Sequence, residues 1–395
     1  MASIAPSTSL TGVARNSTDD FVEPTVSCVS GMSNVLRWTK DTYGSRWLWL
    51  FGLYFTLATI CGYASWSRIV IDDQGQIYTN QTTVATMVSV LSDNPDGLAR
   101  FANIRSRVLV PLLMESANSY LGVSHRFAHD AARLMFLLMA VLAFHWYLRT
   151  WFSPLEALTG TLLVLASITI TFNGWFPTST DFPELLGMTL CAGLLVRSKW
   201  VWMCVVLAVA TLNRETSIIL LSVAVCWLYA GRPSLPNVAG IGAAIFLTWA
   251  AAYFVARQVA GVGADWILAP GSDMRGQGLV AELVGMFLET WPRRAESMLS
   301  LIQNPHPYNV NWSLFLVLNV FWVLPLSSWR SVPVSLRRLY VGGLLGGLVI
   351  FLLAGVLNEA GRHMIPLYPL LFPAGLFVLF RSVVPACEGD VSRLA

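Results

Sequence analysis

The chain has 395 residues, 55% of them hydrophobic and only 12% charged, with a formal net charge of +3 and a mean hydropathy of +0.60. Soluble domains carry roughly a quarter charged residues, so this composition, with its apolar residues in long blocks, points to lipid as the solvent. So small a net charge gives no footprint for nucleic acid, and six scattered cysteines without C-x-x-C or zinc spacing leave no metal or redox motif.

Residues 1–45 are polar and rich in Ser and Thr, without the early apolar core of a signal peptide, and read as a cytoplasmic tail with no packed structure. Residues 46–382 read as one helical transmembrane domain and 383–395 as a second cytoplasmic tail. Crossing the hydrocarbon takes about 20 helical residues. Candidate spans in chain order are 47–66, 131–148, 154–172, 183–196, 200–213, 215–230, 237–257, 310–327, 339–357 and 363–380. The blocks from 183 to 230 are short, because fourteen helical residues reach only about 21 Å of a roughly 30 Å core. The expected fold is an all-α polytopic membrane protein of about eight to ten transmembrane helices, with interfacial amphipathic helices on its outer face.

Orientation follows the basic residues of the short connections. Arg37, Lys40 and Arg46, then Arg149, Arg197, Lys199, Arg232, Arg330, Arg337, Arg338 and Arg381 all fit the cytoplasmic side. Both termini are then inside, and 197–232 is a hairpin turning near Asn213. The long outer segments are 67–130 and 258–309, where Thr83–Leu91, Val108–Leu121 and Leu279–Ile302 have apolar residues at helical spacing. This makes the chain a multi-pass membrane protein with both termini on the cytoplasmic side.

Four polar groups fall on that outer side. Asp72 and Asp73 are adjacent carboxylates, one of which must titrate higher than the other, so the pair suits a general base. No metal is assigned from spacing; where a divalent cation such as Mg or Mn is used, Asp72 and Asp73 would hold it. Arg105 and Arg107 open onto an apolar stretch, and guanidinium forks suit a lipid phosphate. Asn213-Arg214-Glu215-Thr216 interrupts two apolar blocks. Arg214 and Glu215 are sequence neighbours that cannot face each other on a helix, so each needs a partner from elsewhere. Glu359 and Arg362 are three apart and can share a helical face before the last span, where they would bind phosphate or orient a hydroxyl. Asp181 and Glu184, beside Trp175-Phe176-Pro177, are lesser candidates of the same kind. With Trp175, Tyr78 and Trp312 these groups are expected around one cavity. His125 and His129, four apart, read as a solvated interfacial pair rather than metal ligands, and His145 as a span residue bonded to a neighbouring helix. Nucleotide-binding, serine-hydrolase and zinc-protease motifs are missing from the sequence.

The order of these features resembles the poorly characterised bacterial branches of the GT-C superfamily of polytopic membrane glycosyltransferases, which implies a bacterial inner (plasma) membrane. The matching positions are Asp72-Asp73 in the first outer loop, Arg107-Val108-Leu109-Val110-Pro111-Leu112-Leu113, Leu212 to Thr216, and Glu359 with Arg362 before a final span holding Pro366 and Pro369. The likeness covers 45–380 by order of features. It implies transfer of a sugar from a polyprenyl-phosphate-type lipid donor to a glycan or lipid acceptor on the non-cytoplasmic side, in contact with membrane lipids. Asp72 or Asp73 would be the base, while Arg105, Arg107, Arg214 or Arg362 would hold the phosphate, with Glu215 and Glu359 beside them. Two other readings fit the same residues: a transporter or flippase of a lipid-linked or anionic solute, and a non-catalytic membrane assembly subunit.

Overall fold

The computed structural model describes residues 47–66, 70–71, 77–78, 107–172, 181–229, 235–259, 319–353 and 365–391. The described residues are overwhelmingly helical. In chain order the elements are α1 (Trp47–Trp66), a two-residue antiparallel pairing of β1 (Val70–Ile71) with β2 (Ile77–Tyr78), α2 (Leu109–Leu121), α3 (His125–Leu148) and α4 (Pro154–Phe172). Next come α5 (Asp181–Val196), α6 (Trp200–Asn213), a 3-10 turn (Glu215–Ile218), α7 (Ile219–Tyr229) and α8 (Leu235–Val259). The last are a 3-10 turn (Asn319–Trp322), α9 (Leu324–Ser327), α10 (Val334–Leu353), a 3-10 turn (Ile365–Leu367) and α11 (Tyr368–Val391). The chain divides into two compact units after Leu50. Only the first turn of α1 is described in the first unit; the rest of α1 and every later element belong to the second.

Two helical segments, Phe127–Leu148 in α3 and Pro236–Ala256 in α8, are long and apolar enough to cross a membrane; five shorter apolar helices accompany them. Their surroundings differ: 56% of the apolar window in α3 is buried inside the protein, against 6% of that in α8. Of the two, α3 is packed into the interior and α8 lies at the periphery. Leu137, Ala140, Val141, Phe144 and Leu148, at helical spacing, form the buried face of α3.

Local chemistry sets the helix ends. Gly122 closes α2 in the left-handed region (φ 66°, ψ 17°), where only glycine sits without cost. Two residues on, the Ser124 hydroxyl accepts from Phe127 N and caps α3. Ser153 and Glu156 form a reciprocal capping box at the start of α4, with Pro154 at its first turn. In α11, Pro373 cannot donate to the carbonyl of Pro369 four residues earlier. The Tyr147 hydroxyl supplies that bond instead, at 2.8 Å, tying α3 to α11.

Four glycines let α10 pack on two sides at once. A Cβ on Gly342 would fall 2.6 Å from the Val223 backbone, and one on Gly346 would fall 2.5 Å from Ile219, both against α7. On the other side, Gly343 meets Leu370 of α11 at 2.7 Å and Gly347 meets Leu367 of the preceding turn at 2.6 Å. Two interleaved small-x-x-x-small stripes thus bring two elements into close contact with one helix.

At one end of the helices, the α3–α4 connection is bonded to the α5–α6 connection and to the first turn of α10. Arg197 stacks on the Trp146 ring at 3.9 Å and donates to Thr150 Oγ1 at 2.8 Å, while the Trp151 indole donates to Ser335 at 3.1 Å. His145 pairs with the Tyr54 hydroxyl of α1 at 2.7 Å, the interhelical bond expected of it.

Several bounds differ from expectation. The described part of the 310–327 span is a 3-10 turn followed by a four-residue helix rather than one continuous helix. Helix α3 begins at His125, inside the expected outer segment 67–130, and α11 continues through 383–391, inside the expected tail. Residues 1–45, Thr83–Leu91 and Leu279–Ile302 lie outside the described residues.

Candidate functional site

The site grows out of a break in the chain. Helix α6 runs to Asn213, and Arg214 then turns extended (φ −163°, ψ 136°) before the Glu215–Ile218 turn starts α7. Leaving the helix frees backbone carbonyls, which in an apolar setting need new donors. The Ser217 hydroxyl reaches Arg214 O at 3.1 Å and is itself 2.9 Å from Thr211 Oγ1, while the Trp249 indole N–H of α8 donates to Glu215 O at 3.1 Å. These bonds satisfy the carbonyls of Arg214 and Glu215 at the break.

Its charges find partners on other helices. Arg214 Nη1 lies 2.8 Å from Asp181 Oδ1 and 2.6 Å from Glu184 Oε2, both in the first turn of α5. The side chains of Arg214, Asp181 and Glu184 are 1%, 0% and 2% exposed. The Thr216 hydroxyl donates to the other oxygen of Glu184. Asp181 and Glu184 are three apart and share one face of α5, so a single guanidinium spans both. The start of α5 lies beside the end of α6, because those helices form an antiparallel hairpin.

Glu215 turns the other way. It meets Arg107, just ahead of α2, at 3.7 Å, and its side chain is 34% exposed against 8% for Arg107. Val108, Leu212 and Ala256 pack together beside it, which brings the α2 start, the α6 end and α8 to one place. On α8, Trp249 and Tyr253 stack at 5.2 Å with 9° between ring planes. Arg133 and His129, one turn apart on α3, are both buried, and Arg133 feels the charge of Asp181.

Of the eight positions expected to carry chemistry, Arg107, Arg214 and Glu215 are described, and all three meet here. Asp72, Asp73, Arg105, Glu359 and Arg362 lie outside the described residues, as do Trp175 and Trp312. Asp181 and Glu184, the lesser candidates of the sequence, are the partners of Arg214. His129 is fully buried beside Asp130 at 3.2 Å instead of solvated, while His125 bonds Glu115 of α2 at 3.0 Å. Sequence reasoning misses Trp249 and Tyr253, since inside the 237–257 block they look like ordinary span residues. Among the described residues no group of three or more metal-ligating side chains occurs.

Comparison with known proteins gives no match to a family model, to a curated protein or to a solved structure.

Proposed function

We propose that this chain is a polytopic membrane glycosyltransferase that moves a sugar from a polyprenyl-phosphate-type lipid donor to an acceptor on the non-cytoplasmic side. One observation carries the reading. Two segments picked out for their charges, around Arg107 and around Arg214-Glu215, are joined by the 3.7 Å Arg107–Glu215 pair at one end of an apolar helical protein. The bonds linking the loops of Arg149 and Arg197 and the first turn of α10 at Ser335 support a common side for the basic residues.

In this mechanism the acceptor hydroxyl oxygen forms a bond to the anomeric carbon, and the bond from that carbon to the phosphate oxygen breaks. Asp72 or Asp73 takes the hydroxyl proton. The leaving phosphate is met by Arg105 and Arg362, because Arg107 is balanced by Glu215 and Arg214 by two carboxylates. Glu359 orients a hydroxyl beside Arg362. The buried Arg214 group does not touch substrate; it fixes the turn that presents Glu215.

The test uses membranes containing the full chain, given radiolabelled polyprenyl-phosphate sugars. Asp72→Asn with Asp73→Asn should remove most transfer while insertion stays normal. Unchanged transfer in that double variant rejects the base assignment, and no labelled product across a panel of donors rejects the enzyme.

The closure of Arg214 by Asp181 and Glu184 favours a second reading, in which the chain is a non-catalytic assembly subunit and these charges staple two helices. Charge-neutral replacements would then alter folding or partner capture and no product.

A further inference from the structure

We infer that Glu215, Arg107 and the Trp249–Tyr253 stack form a binding site for the uncharged ring of a saccharide. The inference rests on the glycosyltransferase reading and names which part of the substrate lies here.

The geometry has three parts. Glu215 is the accessible charged group of the cluster, at 34% side-chain exposure. The indole N–H of Trp249 holds the Glu215 backbone carbonyl at 3.1 Å, so the backbone that carries the carboxylate is tied to the aromatic pair. Trp249 and Tyr253 are nearly parallel, stacked on one another with Phe246 next to Trp249, and half-buried, so the open part of the stack is its outer side at Tyr253.

A pyranose ring has an apolar C–H face and a rim of hydroxyls. A half-open ring such as that of Tyr253 suits the first. A carboxylate can accept from two neighbouring hydroxyls, and the Arg107 fork beside it can donate to a third. A few placed polar groups against an aromatic wall are the usual make-up of a small-molecule site.

Charge selects against an anion. Among the described residues the groups here are three guanidiniums, Arg107, Arg133 and Arg214, against four carboxylates, Glu215, Asp181, Glu184 and Asp130. A phosphate gains no net attraction from such a set, so the neutral portion of donor or acceptor belongs at Glu215. An acyl or prenyl tail would have to bury the carboxylate against hydrocarbon, at a cost the site has no means to offset.

The experiment is saturation-transfer NMR on the full-length chain in nanodiscs, with methyl hexopyranosides as probes. Saturation of the sugar ring protons is expected in the native chain. Tyr253→Leu and Glu215→Gln should each weaken binding by about fivefold or more, the scale of one lost contact. Tyr253→Phe keeps the ring and should bind as the native chain does, which separates loss of the stack from loss of fold. The inference is overturned by native chain that saturates none of the glycosides, by signals that Tyr253→Leu and Glu215→Gln leave unchanged, or by inorganic phosphate that competes with the glycoside. Transfer activity without glycoside binding at this place leaves the enzyme and removes the site; binding without transfer does the reverse.

Discussion

Nη1 of Arg214 lies 2.6 Å from Oε2 of Glu184, and the two side chains, 30 residues apart in sequence, are almost wholly buried. With Asp181 on the same nitrogen, the guanidinium is held by two carboxylates whose separate burial would be prohibitive. Each member is stable only because the others are present.

Removing one partner should therefore be costly. Arg214→Ala leaves two buried carboxylates and is expected to lose about 3–5 kcal/mol of stability. Arg214→Lys keeps the charge but loses the planar fork, so it should rescue only part of the loss. Thermal unfolding of the detergent-solubilised chain measures both, and an Arg214→Ala protein as stable as the native one would show that the ion group contributes nothing.

The glycine stripes of α10 give a second expectation. Gly342→Leu places a side chain against the Val223 backbone, which cannot move as a side-chain tip can, and should cost at least the about 1–3 kcal/mol typical of overpacking. Gly240→Leu on α8 meets nothing within 4 Å and should be nearly silent. Equal melting temperatures for the two variants would contradict the close approach of α7 and α10.

A third concerns acid. The hydrogen bond from His125, helped by one from Ser119, holds the Glu115 carboxyl below the usual carboxylate range. A depressed carboxylate stabilises the fold above its unfolded value and loses that contribution as pH falls through its folded value. Hydrogen exchange around Gly122 should thus be slower in the native chain than in His125→Ala near neutrality, and the difference should close in acid. A difference that persists below the carboxylate range would assign it to something else.

Sidedness is directly measurable. Single-cysteine variants Glu215→Cys and Lys199→Cys, made in a chain lacking its native cysteines, sit at opposite ends of α6. In oriented vesicles a membrane-impermeant thiol reagent should label the first from the non-cytoplasmic side and the second only from within. Labelling of both from one side would overturn the threading and, with it, the outer-face site.

Much of the helical layout was legible in the sequence, because a run of apolar residues with polar ends states its own limits. The bounds 47–66, 154–172 and 200–213 match α1, α4 and α6. The site was legible only as a demand. Arg214 and Glu215, adjacent in sequence, could not satisfy each other, so distant partners had to exist. Which partners was not readable: the pairing with Asp181 and Glu184 depends on how α5 and α6 close, and that is a tertiary fact. Trp249 stayed hidden for a different reason. Its indole nitrogen is polar, but one polar atom inside an apolar block leaves no mark on hydropathy. The double-sided packing of α10 was equally silent, since Gly342, Gly343, Gly346 and Gly347 differ from other small residues only through what lies opposite them.

The hairpin of α5 and α6 carries an implication for how the protein is made. A ribosome delivers Asp181 and Glu184 some 30 residues before the arginine that neutralises them. A lone α5 handed to lipid would carry two uncompensated carboxylates on a helix too short to hide them. On the membrane-spanning reading proposed above, α5 waits for α6 and the two enter as a couple, and a nascent chain halted between Val196 and Arg214 should remain with the insertion machinery instead of partitioning into the bilayer.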